Sequence, residues 1–192
     1  MTTSGARYVR LGDRDAGLAS LRARFGDAAI QSADDSAYAA ILVATPSLQP
    51  DDLTDLSLEF GEAFSLQTQT IADLLVYDHF RAGKRTRGLT YAGEAGWQRV
   101  VGEPEPWEQR VFFAKARLEE LLLELEDDTS DATTLEREAA ELRRLWAGGR
   151  LEEGNARPAI DLRAVTRAIA THQALPALAQ VARPSSTRQR IG

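Results

Sequence analysis

Tyr77, Asp78 and His79 are the chain's one cluster with acid–base potential. An imidazole exchanges protons near neutral pH, and the only other one belongs to His172. Neighbours on a strand point to opposite faces, so Asp78 cannot orient His79. A general base needs an orienting group within hydrogen-bond reach, and spacing alone identifies none. His79 therefore reads as a half-exposed strand histidine, His172 as a helix-face packing residue, and no catalytic residue is assigned. Arg81, Lys84, Arg85 and Arg87 gather just beyond. With His79 they could clamp a phosphate or carboxylate, for which the guanidinium fork is well shaped. They could equally be a solvated turn that blunts edge pairing. Glu103, Glu105 and Glu108 stand near Trp97 and Trp107. Two carboxylates and a stacking indole suit glycoside chemistry, but helix-capping acids and buried tryptophans explain the same residues with less.

No short motif adds to these groups. Gly83-Lys84 is not a phosphate loop, because Asp78 and Arg85 occupy the positions where glycine and a hydroxyl residue are required. The 192 residues include no cysteine and two histidines, which rules out thiol catalysis, Cys-ligated zinc and a three-histidine metal site. No metal or cofactor is expected. The start MTTSGARYVR lacks an apolar stretch, and the uncharged run 36–50 is too short and too broken by prolines to span a bilayer. A soluble, cytoplasmic protein is expected, without nucleic-acid or membrane partners. The net charge of −6 hides blocks: residues 27–79 hold ten acids and no Lys or Arg, and the segments on either side are basic. Folding could neutralise this internally, or leave an acidic face including Asp51, Asp52 and Asp55 to meet a basic partner.

The elements that must position these groups are legible in part. Residues 6–11 alternate weakly as a first strand, and Leu18, Leu21 and Phe25 recur at helical spacing after Asp13 or Asp15. The run 38–44 (YAAILVA) reads as a strand covered on both faces. Pro50 opens a helix on which Leu53, Leu56, Phe60 and Phe64 recur. Two extended runs flank Ala82-Gly83, a two-residue hairpin turn. Pairing about that turn sets Leu74 against Tyr91, Val76 against Leu89, Asp78 against Arg87 and Phe80 against Arg85. A further strand spans 97–101. Pro106 then opens a long helix with Trp107, Val111, Ala114, Leu118, Leu121 and Leu125 on one stripe. Thr133 and Glu136 form a capping box for a second helix ending at Gly148-Gly149.

The run Gly96-Trp97, Val100 and Gly102-Glu103-Pro104-Glu105-Pro106-Trp107-Glu108 resembles a signature of small uncharacterised bacterial proteins over residues 70–113. That resemblance implies a bacterial, cytoplasmic setting and no activity. The expected fold is α+β: a mostly antiparallel sheet of four to six strands packed by helices, with an αα-hairpin in the helical C-terminal third. Residues 1–105 form the sheet region, 106–147 the αα-hairpin, 148–183 a loop plus a final helix over 161–175, and 184–192 a mobile tail. The expected function is a non-enzymatic protein–protein interaction module, a regulator or adaptor, including an immunity-type inhibitor of a basic partner. Its contact surface would be the acidic residues together with Leu118, Glu119, Glu120, Leu121 and Leu125, facing a partner protein or a second copy. The alternative is an anionic-ligand domain or an enzyme using the 77–87 hairpin.

Overall fold

The computed structural model describes residues 3–34, 36–42, 50–126 and 131–172. Seven strands form one antiparallel sheet in the order β2-β3-β1-β4-β5-β6-β7: β1 (Thr3–Arg10), β2 (Ile30–Ser32), β3 (Tyr38–Leu42), β4 (Glu62–Gln69), β5 (Leu74–Arg81), β6 (Lys84–Ala92) and β7 (Trp97–Gly102). The helices are α1 (Arg14–Phe25), α2 (Pro50–Phe60), α3 (Pro106–Phe112), α4 (Lys115–Glu126), α5 (Ala132–Gly148) and α6 (Leu162–His172). The architecture is the expected α+β, with seven strands in place of four to six. No helix among the described residues is long and apolar enough to cross a membrane.

Each sheet face carries its own core because strand side chains alternate. On one face Val9, Ala39, Ile41, Ala63 and Phe80 pack under Leu18 and Leu21 of α1 and Leu53 and Leu56 of α2. On the other, Tyr8, Phe64, Tyr77, Leu89 and Trp97 pack with Trp107 and Phe112 of α3, Leu145 of α5, and Val165 and Ile169 of α6. The Tyr8 and Phe64 rings stack at 4.7 Å. Fully burying a side chain of this size contributes roughly 1.5–3 kcal/mol, so both faces hold the sheet.

Four expectations need correction. First, α2 stops at Phe60 rather than running through Phe64. Gly61 has φ +82, and the chain beyond it becomes β4, the strand between β1 and β5. Past that break the period changes to two. Glu62, Phe64, Leu66 and Thr68 take one face, Ala63 and Ser65 the other, and all six are buried.

Second, the hairpin register holds only at its tip. Ala82-Gly83 is the turn, and Phe80 faces Arg85, but His79 faces Arg87, Tyr77 faces Leu89 and Leu75 faces Tyr91. Thr86 is the extra residue of a β-bulge, which reverses the facing of everything on β6 beyond it. Arg87 therefore lies on the face of His79, not opposite Asp78. The tip is exposed at Arg81, Ala82 and Lys84 but is tied down through its backbone. Gly83 N–H donates to Ser57 Oγ (2.9 Å) and Ala82 N–H to the Gly61 carbonyl (2.9 Å).

Third, the long helix expected from Pro106 is two, α3 and α4, broken at Phe113-Ala114. The indole of Trp146 on α5 donates to the carbonyl of Ala114 (3.1 Å), which also accepts from Arg117 and Leu118 N–H (3.0 and 3.3 Å) as α4 begins. Fourth, α5 is capped by Asp131, which accepts from Thr134 N–H (3.0 Å), instead of by Thr133. The ends of the third strand and of the final helix, the tail, and the side chains of Asp51 and His172 lie outside the described residues.

The loop 152–155 runs along β7 on the side away from β6. Trp97 N–H donates to the Asn155 carbonyl (2.9 Å), Gly154 N–H to the Trp97 carbonyl (2.8 Å), and Val100 N–H to Glu153 Oε1 (2.8 Å). At the other end of β7, Gly102 has φ +81, and a Cβ there would sit 1.9 Å from the Thr86 carbonyl oxygen. The bulge and the glycine thus require each other. Gly102→Ala is expected to lower stability by about 2 kcal/mol or more through the strained φ and the backbone clash. Urea denaturation reads this as a lower midpoint; an unchanged midpoint would show that the bulge is pliable.

Candidate functional site

The sheet's inner face is built in cross-strand rows. Tyr8, Phe64, His79 and Arg87 succeed one another across β1, β4, β5 and β6. Glu62 and Arg81 face each other one step nearer the sheet's end. These rows bring Glu62 against His79, although 17 residues separate them: His79 Nε2–H donates to Glu62 Oε1 at 2.9 Å. The other ring nitrogen, Nδ1, bonds Glu105 Oε1 in a very short contact. Glu105 comes from the N-cap of α3, where Pro106 starts the helix. Its second oxygen accepts from the Tyr77 hydroxyl (2.8 Å) and the Trp107 indole (2.7 Å).

An imidazole with a carboxylate on each nitrogen has two donors to supply, which only the doubly protonated ring can do. His79, with a side chain 1% exposed, is accordingly an imidazolium between two carboxylates. Burial by itself would lower its pKa, but the hydrogen bonds and charges of Glu105 and Glu62 outweigh burial and hold it above the ordinary 6.5. Glu62 is held down to about 2, chiefly by the His79 hydrogen bond. Burial pushes Glu105 up, but the donors from His79, Trp107 and Tyr77 prevail and its pKa is lowered. The Tyr77 hydroxyl is pushed well above 10 by burial and by Glu105, which suits its part as donor.

A second buried pair lies alongside. Arg87 donates Nε–H to Glu108 Oε1 (2.8 Å) and Nη2–H to Oε2 (2.5 Å). Its Nη1 reaches the carbonyls of Val101 (3.2 Å) and Gly102 (2.7 Å). Glu108 in turn accepts from the Glu105 backbone N–H (2.9 Å). The N-terminus of α3 is thus pinned to β5 by Glu105 and to β6 by Glu108. A bidentate pair of this kind is among the stronger protein hydrogen bonds.

The residues grouped by sequence do not converge. Arg81 shares Glu62 with His79 (3.2 Å), while Arg87 is locked to Glu108. Arg85 lies against Asp78 at 3.0 Å and over the Phe80 ring at 5.2 Å, on the opposite face, where Arg99 also reaches Asp78 (2.8 Å). Lys84 is exposed. The acidic run is largely met by arginines: Asp27 by Arg22, Asp34 by Arg14, Asp52 by buried Arg7 (2.9 Å), and Glu59 by Arg24. Asp55 is exposed. On α4, Leu118 and Leu121 are half-buried and Leu125 is buried; Glu119 pairs with Lys115 (3.3 Å) and Glu120 with Arg117 (2.5 Å).

Spacing missed both carboxylates that hold His79. A signal existed for Glu62, the single charge between Glu59 and Asp73 in a stretch that alternates like a strand. Glu105 gave none, since its position before Pro106 already explains an acid.

These charges set a pH dependence of definite sign. The folded pKa of His79 lies above 6.5, so its contribution is complete below about 6.5 and is lost as pH rises through the folded value. Glu62 lies at about 2 instead of 4.5, so its contribution, about 3 kcal/mol at most, is present above 4.5 and lost as pH falls toward 2. Stability from urea midpoints should therefore fall on both limbs, and Glu62→Gln should flatten the acidic one. Nitrogen-15 spectra should show His79 doubly protonated at pH 7; a neutral ring there would remove the imidazolium reading. The chain matches no protein-family model, no curated protein and no solved structure.

Proposed function

We propose that this protein is a non-enzymatic interaction module, a regulator or adaptor, whose contact surface centres on α4. The observation that carries this reading is Leu123, 62% exposed on a helix that packs chiefly on α5 among the described elements. Half-buried Leu118, Leu121 and Leu122 recur with buried Leu125 on one face of α4, and Leu123 stands on another, one turn from exposed Glu119 and Glu120. A protruding leucine ringed by charged side chains offers a partner an apolar anchor with a polar rim. The rest of the molecule suits a rigid support: the imidazole of His79 is saturated on both nitrogens, so it has no lone pair with which to accept a substrate proton. Complementary charge around the leucines, from Lys115, Arg117, Glu119, Glu120 and Glu124, would fix orientation more than affinity.

Native mass spectrometry of the protein, purified gently from its own host, tests this. A stoichiometric second chain, identical or different, is expected with the wild type. Leu123→Glu should reduce its occupancy at least tenfold, because an apolar anchor is replaced by a charge at the interface, with an unchanged melting temperature. A bare monomer in the wild type, or full occupancy in the variant, overturns the reading.

A further inference from the structure

At the end of the sheet, where Phe60 of the core on the face opposite His79 meets the row of Glu62 and Arg81, a cleft of about 420 Å³ is lined by Arg10, Phe60, Gly61, Glu62 and Arg81. Arg10 closes β1 and Arg81 closes β5; between them Glu62 opens β4. Glu62 is 6% exposed, and its strongest contact is the donor from His79 at 2.9 Å. The two guanidiniums lie farther off, at 3.4 Å for Arg10 and 3.2 Å for Arg81, beyond the roughly 2.7–2.9 Å usual for charge-assisted bonds. Their side chains are 60% and 61% exposed. Among the described residues Glu62 is the only acid that either one meets. Each guanidinium carries five N–H donors, so both keep free donors at the cleft. Lys84, outside the lining, pairs across the hairpin with Arg81 and adds a cation beside that arginine.

The charge balance follows from the buried imidazolium. His79 carries one charge against the two carboxylates Glu62 and Glu105, so Arg10 and Arg81 together leave one net positive charge at this end of the sheet. We infer that this cleft binds the oxyanion of a small molecule, a phosphate or a carboxylate, held between Arg10 and Arg81 with its remaining atoms against Phe60. The two guanidiniums flank the Glu62 carboxylate, one on each oxygen, and that carboxylate closes the inner wall of the cleft. The site is independent of the α4 surface, so either can fail without the other.

Isothermal titration of the whole chain at low ionic strength, with inorganic phosphate and separately with acetate, tests it; salt screens exposed charges. One of the two is expected to bind saturably at one site per chain, and the tighter one identifies the headgroup. Arg10→Gln and Arg81→Gln should each weaken it about tenfold or more, the loss of one charged hydrogen bond. Arg150→Gln, at an exposed arginine paired with Glu103, should leave it unchanged. Glu62→Gln, where melting curves show it folded, should tighten binding by removing the internal competitor. No saturation up to roughly 10 mM, equal weakening in Arg150→Gln, or indifference to both cleft arginines would overturn the inference.

Discussion

An imidazolium enclosed by two carboxylates is expensive to bury and useful once buried. Taking three charges out of water costs several kcal/mol per ion, and only close, fully hydrogen-bonded geometry offsets it. Here every heteroatom of the group has a partner: Glu62 on one ring nitrogen, Glu105 on the other, and Tyr77 and Trp107 completing Glu105. Removing any one member strands the others, which is why such clusters fix a unique arrangement even where apolar side chains would be as stable. In this fold the arrangement being fixed is the seat of α3. Its first turn carries Glu105 and Glu108, and the two bond to neighbouring strands of the same sheet face.

The bulge at Thr86 makes that seat possible. Without the extra residue, Arg87 would project from the far face and Glu108 would enter the core with no cation. With it, His79 and Arg87 stand side by side on one row and meet the two glutamates of one helix turn. A one-residue irregularity in β6 thus decides where a helix more than fifteen residues later can dock. Gly102, with no Cβ to strike the Thr86 carbonyl, lets β7 follow the bend.

How much of this the sequence disclosed depended on range. Strands with long apolar runs, such as 38–42 and the hairpin of β5 and β6, were legible because their patterns are local. So were α1, whose cap is Asp13 of the two candidates Asp13 and Asp15, and the turn at Ala82-Gly83. β4 was hidden because Phe64 continues the helical spacing of Leu53, Leu56 and Phe60, and the single glycine at 61 carries the break. The break at Phe113 was hidden for a related reason: the apolar stripe runs on across it, and the indole that braces it at Ala114 comes from Trp146, 32 residues away. The site was least legible of all. Its carboxylates lie 17 and 26 residues from His79, and only the assembled sheet says which acids meet which imidazole. The Arg-rich turn, by contrast, was visible as a cluster, but side-chain alternation and the bulge divide it between two faces.

The loop folded along β7 has one more implication. A terminal strand offers a row of backbone donors and acceptors to any extended segment that drifts past. On β7 Trp97 and Val100 already exchange theirs with Asn155, Gly154 and the Glu153 carboxylate, and the last two carbonyls of the strand are taken by the Arg87 guanidinium. That border is therefore already occupied over much of its length, and a visiting strand or a sister molecule would have to displace the 152–155 loop before it could lengthen the sheet there.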